Sequence, residues 1–303
     1  MTLRTDINRI NPAEVLGEKD ITKKAAMMQY LAQQCRVDVF DTIRDMQTGH
    51  WGGASSAAEL LVTLYFHILN IKPQQPRWPQ RDRLVLSKGH ASCMYYAVLA
   101  NRGYFPLEKL CKFRNLGSAL QGHPCMMKLS CVDMSTGSLG HGLSVGVGMA
   151  MAARLLNETY RTFVIVGDGC LNEGQTWEAI MAGAKFRPDR LVLMVDYNKV
   201  QLDGPSDEIM PMDPLIDKLS AFNWNLAPKP YDGHNVNDIL SSWDWIQKQT
   251  PGPVAVVYRT HKGHAISFTS DQSKWHGCPI DADSYKAGRP ELIKTLSELG
   301  NKI

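Results

Sequence analysis

Two apolar runs near the middle of the chain each end on a polar residue: Thr162-Phe-Val-Ile-Val-Gly-Asp-Gly169 and Leu191-Val-Leu-Met-Val-Asp-Tyr-Asn198. Their length and β-branched content predict strands buried on both faces. Between them, from Glu173 to Phe186, apolar Trp177, Ile180, Met181 and Ala184 recur at helical spacing. Strand–helix–strand units wind right-handed and leave their strands parallel. Asp168 and Asn198 are therefore expected at the same carboxyl edge of one sheet, where open α/β sheets bind their ligands.

The rest of the pattern extends this picture. Met28, Leu31, Cys35, Val39, Ile43 and Met46 predict a helix from Lys23 to Gln47. Ser55 and Ser56 read as caps of a second helix running to about Asn70. Arg83 to Ser87 is a short strand, and a helix follows that ends at Arg102 before Gly103. Gly137 to Leu156 is small or apolar on every side, which predicts a helix buried against the sheet. Val254 to Tyr258 is a further strand, and Pro290 is expected to open a short C-terminal helix. The fold class is α/β: three layers around a doubly wound, mostly parallel sheet. With no repeat or linker, the chain divides into a polar arm (1–20), one domain (21–278) and a tail helix (279–303).

Bulk properties narrow the function by exclusion. The 303 residues are 44% hydrophobic and 21% charged, a globular balance, and the net charge of +3 contains no Lys/Arg block to suit nucleic acid or an anionic membrane. The longest apolar stretch, Leu60 to Leu69, is broken by Thr63 and His67 and is too short to span a bilayer. The N-terminus has no hydrophobic signal core. The seven cysteines, with no C-x-x-C, read as reduced thiols of a cytoplasmic protein.

A carboxylate and an amide oxygen converging at a sheet edge suit Mg²⁺, a hard cation usually shared with a substrate or cofactor phosphate. Gly167 and Gly169 remove the Cβ atoms that would keep the backbone from a diphosphate, and the helix start near Glu173 offers N–H groups to the anion. Four histidines sit in glycine-flanked loops: His50, His90, His123 and His276. Histidine can donate, accept or relay protons near neutrality. No two of the four have compact zinc spacing, and His261 and His264 lack a cysteine or acid arranged around them.

With these residues in place, the chain resembles the diphosphate-binding domain of transketolase. The resemblance runs from about Met28 to Gly277 through GHWGGASSAAELLVTLY, RDRLVLSKGHAS, GHP, STGSLGHGLSVGVGMA, GDGCLNEGQTWEA, VDYNKVQLDG and WHG, in family order. It implies the thiamine diphosphate-binding fold, with thiamine diphosphate and Mg²⁺ (or another divalent ion such as Ca²⁺ or Mn²⁺) as cofactors. By that resemblance Asp168, Asn198 and the carbonyl of Val200 bind the metal, and Gly167 and Gly169 make room for the diphosphate. His90 and His276 contact diphosphate and substrate, while His50 and His123 hold the hydroxyls of a ketose donor and assist proton transfer. Gly137, Ser138 and Leu139 approach the aminopyrimidine. Glu173 and Glu178 match acids of a network that crosses the dimer interface. His141 departs from the family, which usually has glutamine there.

Transketolases normally continue into a pyrimidine-binding domain, whose glutamate activates the cofactor, and no acid of this chain matches that glutamate. The expectation is the N-terminal subunit of a split transketolase, α2β2 with a separate C-terminal subunit that carries the pyrimidine domain. It would transfer a two-carbon ketol unit between sugar phosphates of carbohydrate metabolism such as the pentose phosphates. Two alternatives remain: the α subunit of a 2-oxo acid dehydrogenase, which should lack the histidine set, and a non-catalytic regulatory subunit of the same fold. A dinucleotide enzyme is disfavoured because no G-x-G-x-x-G follows a first strand.

Overall fold

The computed structural model describes residues 6–249 and 251–303. Its strands are β1 (Arg83–Leu86), β2 (Thr162–Gly167), β3 (Leu191–Tyr197), β4 (Asn225–Leu226), β5 (Tyr231–Asp232) and β6 (Val254–Arg259). They form one six-stranded sheet in the order β1-β2-β3-β6-β4, with β5 also on β6. Every pairing is parallel. The edge beyond β6 is split: β4 pairs with Val254 and Ala255, and β5 with Tyr258 and Arg259.

Alternate strand residues supply two cores. Phe163, Ile165, Val192, Met194, Val254 and Val256 face one, whereas Val164, Val166, Leu191, Leu193, Val195 and Val257 face the other. The first is covered by α1 (Pro12–Gly17), α2 (Ile21–Met46), α3 (Trp51–Ser56), α4 (Ala58–Thr63) and α5 (Ser92–Asn101). The second is covered by α6 (His141–Leu155), the single turn α7 (Asp168–Leu171) and α8 (Gly174–Phe186). After the turn α9 (Ser206–Ile209), α10 (Leu215–Ala221) completes that side. Then α11 (Val236–Ile246) and α12 (Ala282–Gly300) return to the first. This is the expected three-layer α/β arrangement. Among the described residues no helix is long and apolar enough to cross a membrane.

The sheet register carries the functional geometry. β2 and β3 run side by side with Gly167 opposite Asp196, so the residues that follow each strand leave the sheet together. Close packing of α6 over β2 depends on Gly146, where a Cβ would lie 2.4 Å from Cγ2 of Val164. Gly146→Ala is expected to force these elements apart and to destabilise the chain by about 1–3 kcal/mol, read as a lower urea midpoint. An unchanged midpoint would mean that α6 is not seated by that contact.

Several local expectations change. Ser55 and Ser56 are not caps; they end α3, which starts directly after His50, and their hydroxyls donate back to Gly52 and Gly53 carbonyls at 3.1 and 3.2 Å. Pro290 lies inside α12, which begins at Ala282 because Asp281 caps it by accepting from Ser284 N at 2.7 Å. The Gly137–Leu156 helix starts only at His141 and buries one face; His141, Gly148, Arg154 and Leu155 are exposed. Met181 is 56% exposed, since α8 turns Thr176, Ala179, Ile180 and Gly183 inward instead. Residues 12–17, in the expected polar arm, form α1 and bury Val15.

Candidate functional site

The carboxyl ends of β2 and β3 open on a cavity of about 260 Å³. His90, Leu139, Gly167, Asp168, Gly169, Glu173, Asn198, Val200 and His276, all singled out from the sequence, line it. Gly137 and Ser138 lie outside the lining; the Gly137 backbone instead passes the His123 ring, where a Cβ would stand 3.2 Å from Cγ. A larger cleft of about 860 Å³ lies on the other side of Asn198, with Leu215, Ile216 and Val257 in its wall. It has neither the glycines nor the histidine cluster, so chemistry favours the smaller cavity.

Asp168 is only 2% exposed. The Ser206 hydroxyl, 3.3 Å away, and the Lys199 backbone N–H donate to its carboxylate. Burial, then the neighbouring Asp196 carboxylate, push the Asp168 carboxyl up to about 6. Asn198 Oδ1 accepts from Val200 N at 3.1 Å, in a tight turn made by the left-handed backbone of Lys199 (φ 59°). A buried carboxylate beside a second one, with no direct ion-pair partner among the described residues, is what a bound divalent ion neutralises. Carboxylate, amide and carbonyl oxygens suit a hard cation. At Gly167 and Gly169 a Cβ would meet nothing nearer than 3.9 and 3.5 Å, so the wall here is open backbone. The residues present fit a metal-bound diphosphate.

Three charged groups of this site escaped the sequence reading. Asp196, fully buried, accepts from Lys88 Nζ, from Thr260 Oγ1 and, at 2.7 Å, from Ser56 Oγ. Burial alone would raise its carboxyl, but Lys88 and the hydroxyls outweigh burial and hold it below the usual carboxylate range. Lys262 donates to the carbonyls of Val200 at 3.0 Å and Gln201 at 2.7 Å, and to His276 Nδ1 at 2.8 Å. Burial, then the charge of Lys88, bring Lys262 down to about 8. The Val200 carbonyl, expected as a metal ligand, thus already accepts one bond and keeps a second lone pair. An acid closing an otherwise apolar strand was the one signal available for Asp196.

The four histidines form one cluster. Ring centroids of His50 lie 5.6 Å from His90, 6.1 Å from His123 and 5.5 Å from His276, and His90 is 5.0 Å from His276. Burial, followed by neighbouring positive charge, brings His50 down to about 4 and His276 to about 3, lowers His123, and takes His90 well below the ordinary histidine value. All four are therefore neutral at pH 7. The glycines expected to keep each loop uncluttered act across loops: a Cβ on Gly53 would stand 2.6 Å from His90 Nε2, and one on Gly277 2.8 Å from His50 Cδ2.

Glu173 reaches the cavity rim but is exposed, as is Glu178. His141 is exposed and its Nδ1 lies 2.8 Å from Gln175 Nε2, linking α6 to α8. The loop histidines do have acids around them, contrary to expectation. His261 Nδ1 is 2.8 Å from Asp271, and His264 stacks on His234 at 3.6 Å. Glu59, His234 and His264 come close enough to suggest a metal site. Glu59, however, is already engaged by buried Arg36, and His234 Nε2 accepts from His261 N at 2.8 Å, so the group is structural.

The fold and site define an α/β protein whose sheet-edge cavity fits a metal-bound diphosphate beside a cluster of four histidines. The chain belongs to the transketolase thiamine diphosphate binding domain family, whose model matches residues 27–293. Its cofactor is thiamine diphosphate with a divalent metal. It is 40% identical over 267 residues to the 6-deoxy-6-sulfo-D-fructose transketolase subunit SqwG of Clostridium sp. (strain MSTE9), covering 88% of this chain and 96% of that protein. It is 33% identical to an apulose-4-phosphate transketolase subunit of Phocaeicola vulgatus, covering 91% and 96%. A Pichia stipitis transketolase in complex with sedoheptulose 7-phosphate superposes with a TM-score of 0.82 at 27% identity, covering 91% of this chain and 44% of that one. The chain thus spans less than half the length of the solved transketolases it matches.

Proposed function

We propose that this chain is the N-terminal subunit of a split transketolase that transfers a two-carbon ketol unit from a ketose to an aldose. The observation that carries the reading is the cluster of four neutral histidines, two of which, His90 and His276, line the cavity built around Asp168. Such a cluster offers hydrogen bonds to a row of sugar hydroxyls, which a 2-oxo acid lacks. Similarity over nearly the full length of two proteins named as transketolase subunits supports a separate partner. That partner would carry the pyrimidine domain in an α2β2 assembly. The unpaired cysteines support a cytoplasmic location.

When bound, thiamine diphosphate supplies the carbon nucleophile and electron sink for cleavage of the ketose. Asp168, Asn198 and the Val200 carbonyl would hold the divalent ion, with Gly167 and Gly169 leaving space for the diphosphate. Gly137, Ser138 and Leu139 would border the aminopyrimidine. His90 and His276 would orient diphosphate and substrate, and His50 and His123 would grip donor hydroxyls and hold the protons that move. Glu173, at the rim, would face the partner.

Co-purifying the chain with a partner that carries a pyrimidine domain should yield Mg²⁺- and thiamine-dependent ketol transfer on phosphorylated or sulfonated ketoses. Activity of the chain alone, or oxo-acid decarboxylation in its place, would overturn the reading. Within the complex, His123→Ala is expected to lower donor turnover by roughly a hundredfold while cofactor titration stays near wild type, because His123 lies outside the cavity lining. If His123→Ala lost cofactor as fully as an Asp168 variant, this division of roles would be wrong.

A further inference from the structure

We propose that Arg114 is a positioning residue: anchored on Thr48, its guanidinium donates to His50 Nδ1 and keeps His50 in the tautomer that presents Nε2–H to the donor sugar. The tautomer stands on geometry alone; only the identity of the group His50 grips rests on the ketol-transfer reading.

Arg114 Nη2 lies 3.2 Å from His50 Nδ1, and Nη1 donates to Thr48 Oγ1 at 2.7 Å. A guanidinium has donors only, so Nδ1 of His50 must be the acceptor and the ring proton must sit on Nε2. The Nε2 edge of that ring passes Gly277, where a Cβ would stand 3.1 Å from Nε2, so the glycine leaves the edge clear.

The chain makes unusual provision for this arginine. Its backbone is left-handed (φ 61°), a conformation that non-glycine residues rarely adopt, and its N–H is fixed to the Leu120 carbonyl at 2.8 Å. A Cβ on Gly122 would lie 2.7 Å from Arg114 Nε and 2.9 Å from Nη2, so the glycine before His123 is the slot through which the guanidinium passes. Nε is buried without a partner, and no carboxylate pairs with Arg114 among the described residues. A cation placed this way contributes little to stability. Its one specific bond to a residue of the cluster is to His50.

The groups around His50 are Arg114, Lys262, His90, His123 and His276, with no acid among them to draw a second proton onto the ring. His50 therefore meets substrate as a neutral hydrogen-bond donor at neutral pH. The geometry assigns Arg114 the part a second-layer carboxylate plays for many other histidines, with the opposite tautomer as the result.

Ring-nitrogen NMR of the ¹⁵N-histidine-labelled full chain tests this, with the His50 signal identified by its loss in His50→Asn. Wild type should show His50 protonated at Nε2 and bare at Nδ1, titrating well below the ordinary histidine range. Arg114→Met should give a tautomer mixture with the titration moved up by a unit or more, and Arg114→Lys should recover most of the wild-type signature. In the complex, Arg114→Met should lower kcat/KM for the donor roughly tenfold and leave the acceptor parameters alone. Should Arg114→Met fail to fold by circular dichroism, Thr48→Val, which frees the guanidinium, should shift the same signals. Unchanged His50 signals in a folded variant, or a lysine variant as altered as the methionine one, would overturn the proposal. A complex without ketol transfer whose His50 keeps the Nε2–H tautomer would instead sink the functional reading and leave Arg114's role in place.

Discussion

Asp168→Asn is expected to abolish metal-dependent cofactor binding and lower ketol transfer by roughly a thousandfold or more, the several kcal/mol a catalytic metal contributes. The cofactor-free variant should nevertheless be at least as stable as wild type at neutral pH. The Asp168 carboxyl is raised to about 6 by burial and by Asp196. An acid whose pKa is higher folded than unfolded lowers stability once ionised. That deficit is absent below about pH 4, grows as pH rises towards 6, and is full above it, on the order of 2–3 kcal/mol. An amide of the same shape removes it. Urea unfolding at pH 7.5 without metal should show an equal or higher midpoint for Asp168→Asn, and Mg²⁺ should stabilise wild type but not the variant. A variant that unfolds earlier than wild type without metal would show that Asp168 is a structural anchor instead.

Glu59→Ala should be the most damaging single change to stability, at about 3–5 kcal/mol. Glu59 and Arg36 are an ion pair with side chains 0% and 1% exposed, and His234 Nδ1 lies 3.3 Å from the same carboxylate. Arg36 also donates to the Ser55 carbonyl at 3.1 and 2.9 Å, tying α2 to the end of α3. Removing the anion leaves a guanidinium charged and buried, because arginine does not deprotonate in proteins. The double variant Arg36→Met/Glu59→Leu should lose less than Glu59→Ala alone, since no orphaned charge remains. Urea unfolding of the three proteins checks this. A double variant as unstable as the single would mean that packing, not the unpaired charge, sets the loss. The effect should reach the site, because Ser56, beside that carbonyl, bonds Asp196.

The β2–α8–β3 unit was legible because three signals coincide there: uniformly apolar strands, a helical period between them, and polar residues where the strands stop. The histidines were legible through their glycine-flanked loops. The electrostatic frame was not. Lys88 and Asp196 are 108 positions apart, and nothing near either one names the other. Arg114 reads as one more loop arginine until Gly122 and Thr48 are placed around it. Pro290 misled because a proline is at home in the first turn of a helix, whereas the cap at Asp281 set the true start eight residues earlier than a reading from Pro290 would. The outer face of α6 misled because small residues satisfy a buried helix and an exposed one alike.

The cross-loop contacts between glycine and histidine have a consequence for how such a site can change over generations. His90 rests against Gly53, His123 against Gly137, and His50 against Gly277, so each ring is seated by backbone from a different segment. A larger residue at one of these glycines displaces a histidine elsewhere in the chain, and a histidine that moves leaves its glycine without purpose. Drift at these positions should therefore be tolerated in matched pairs or not at all. A ring and the bare backbone beneath it are inherited together, however far apart the chain sets them.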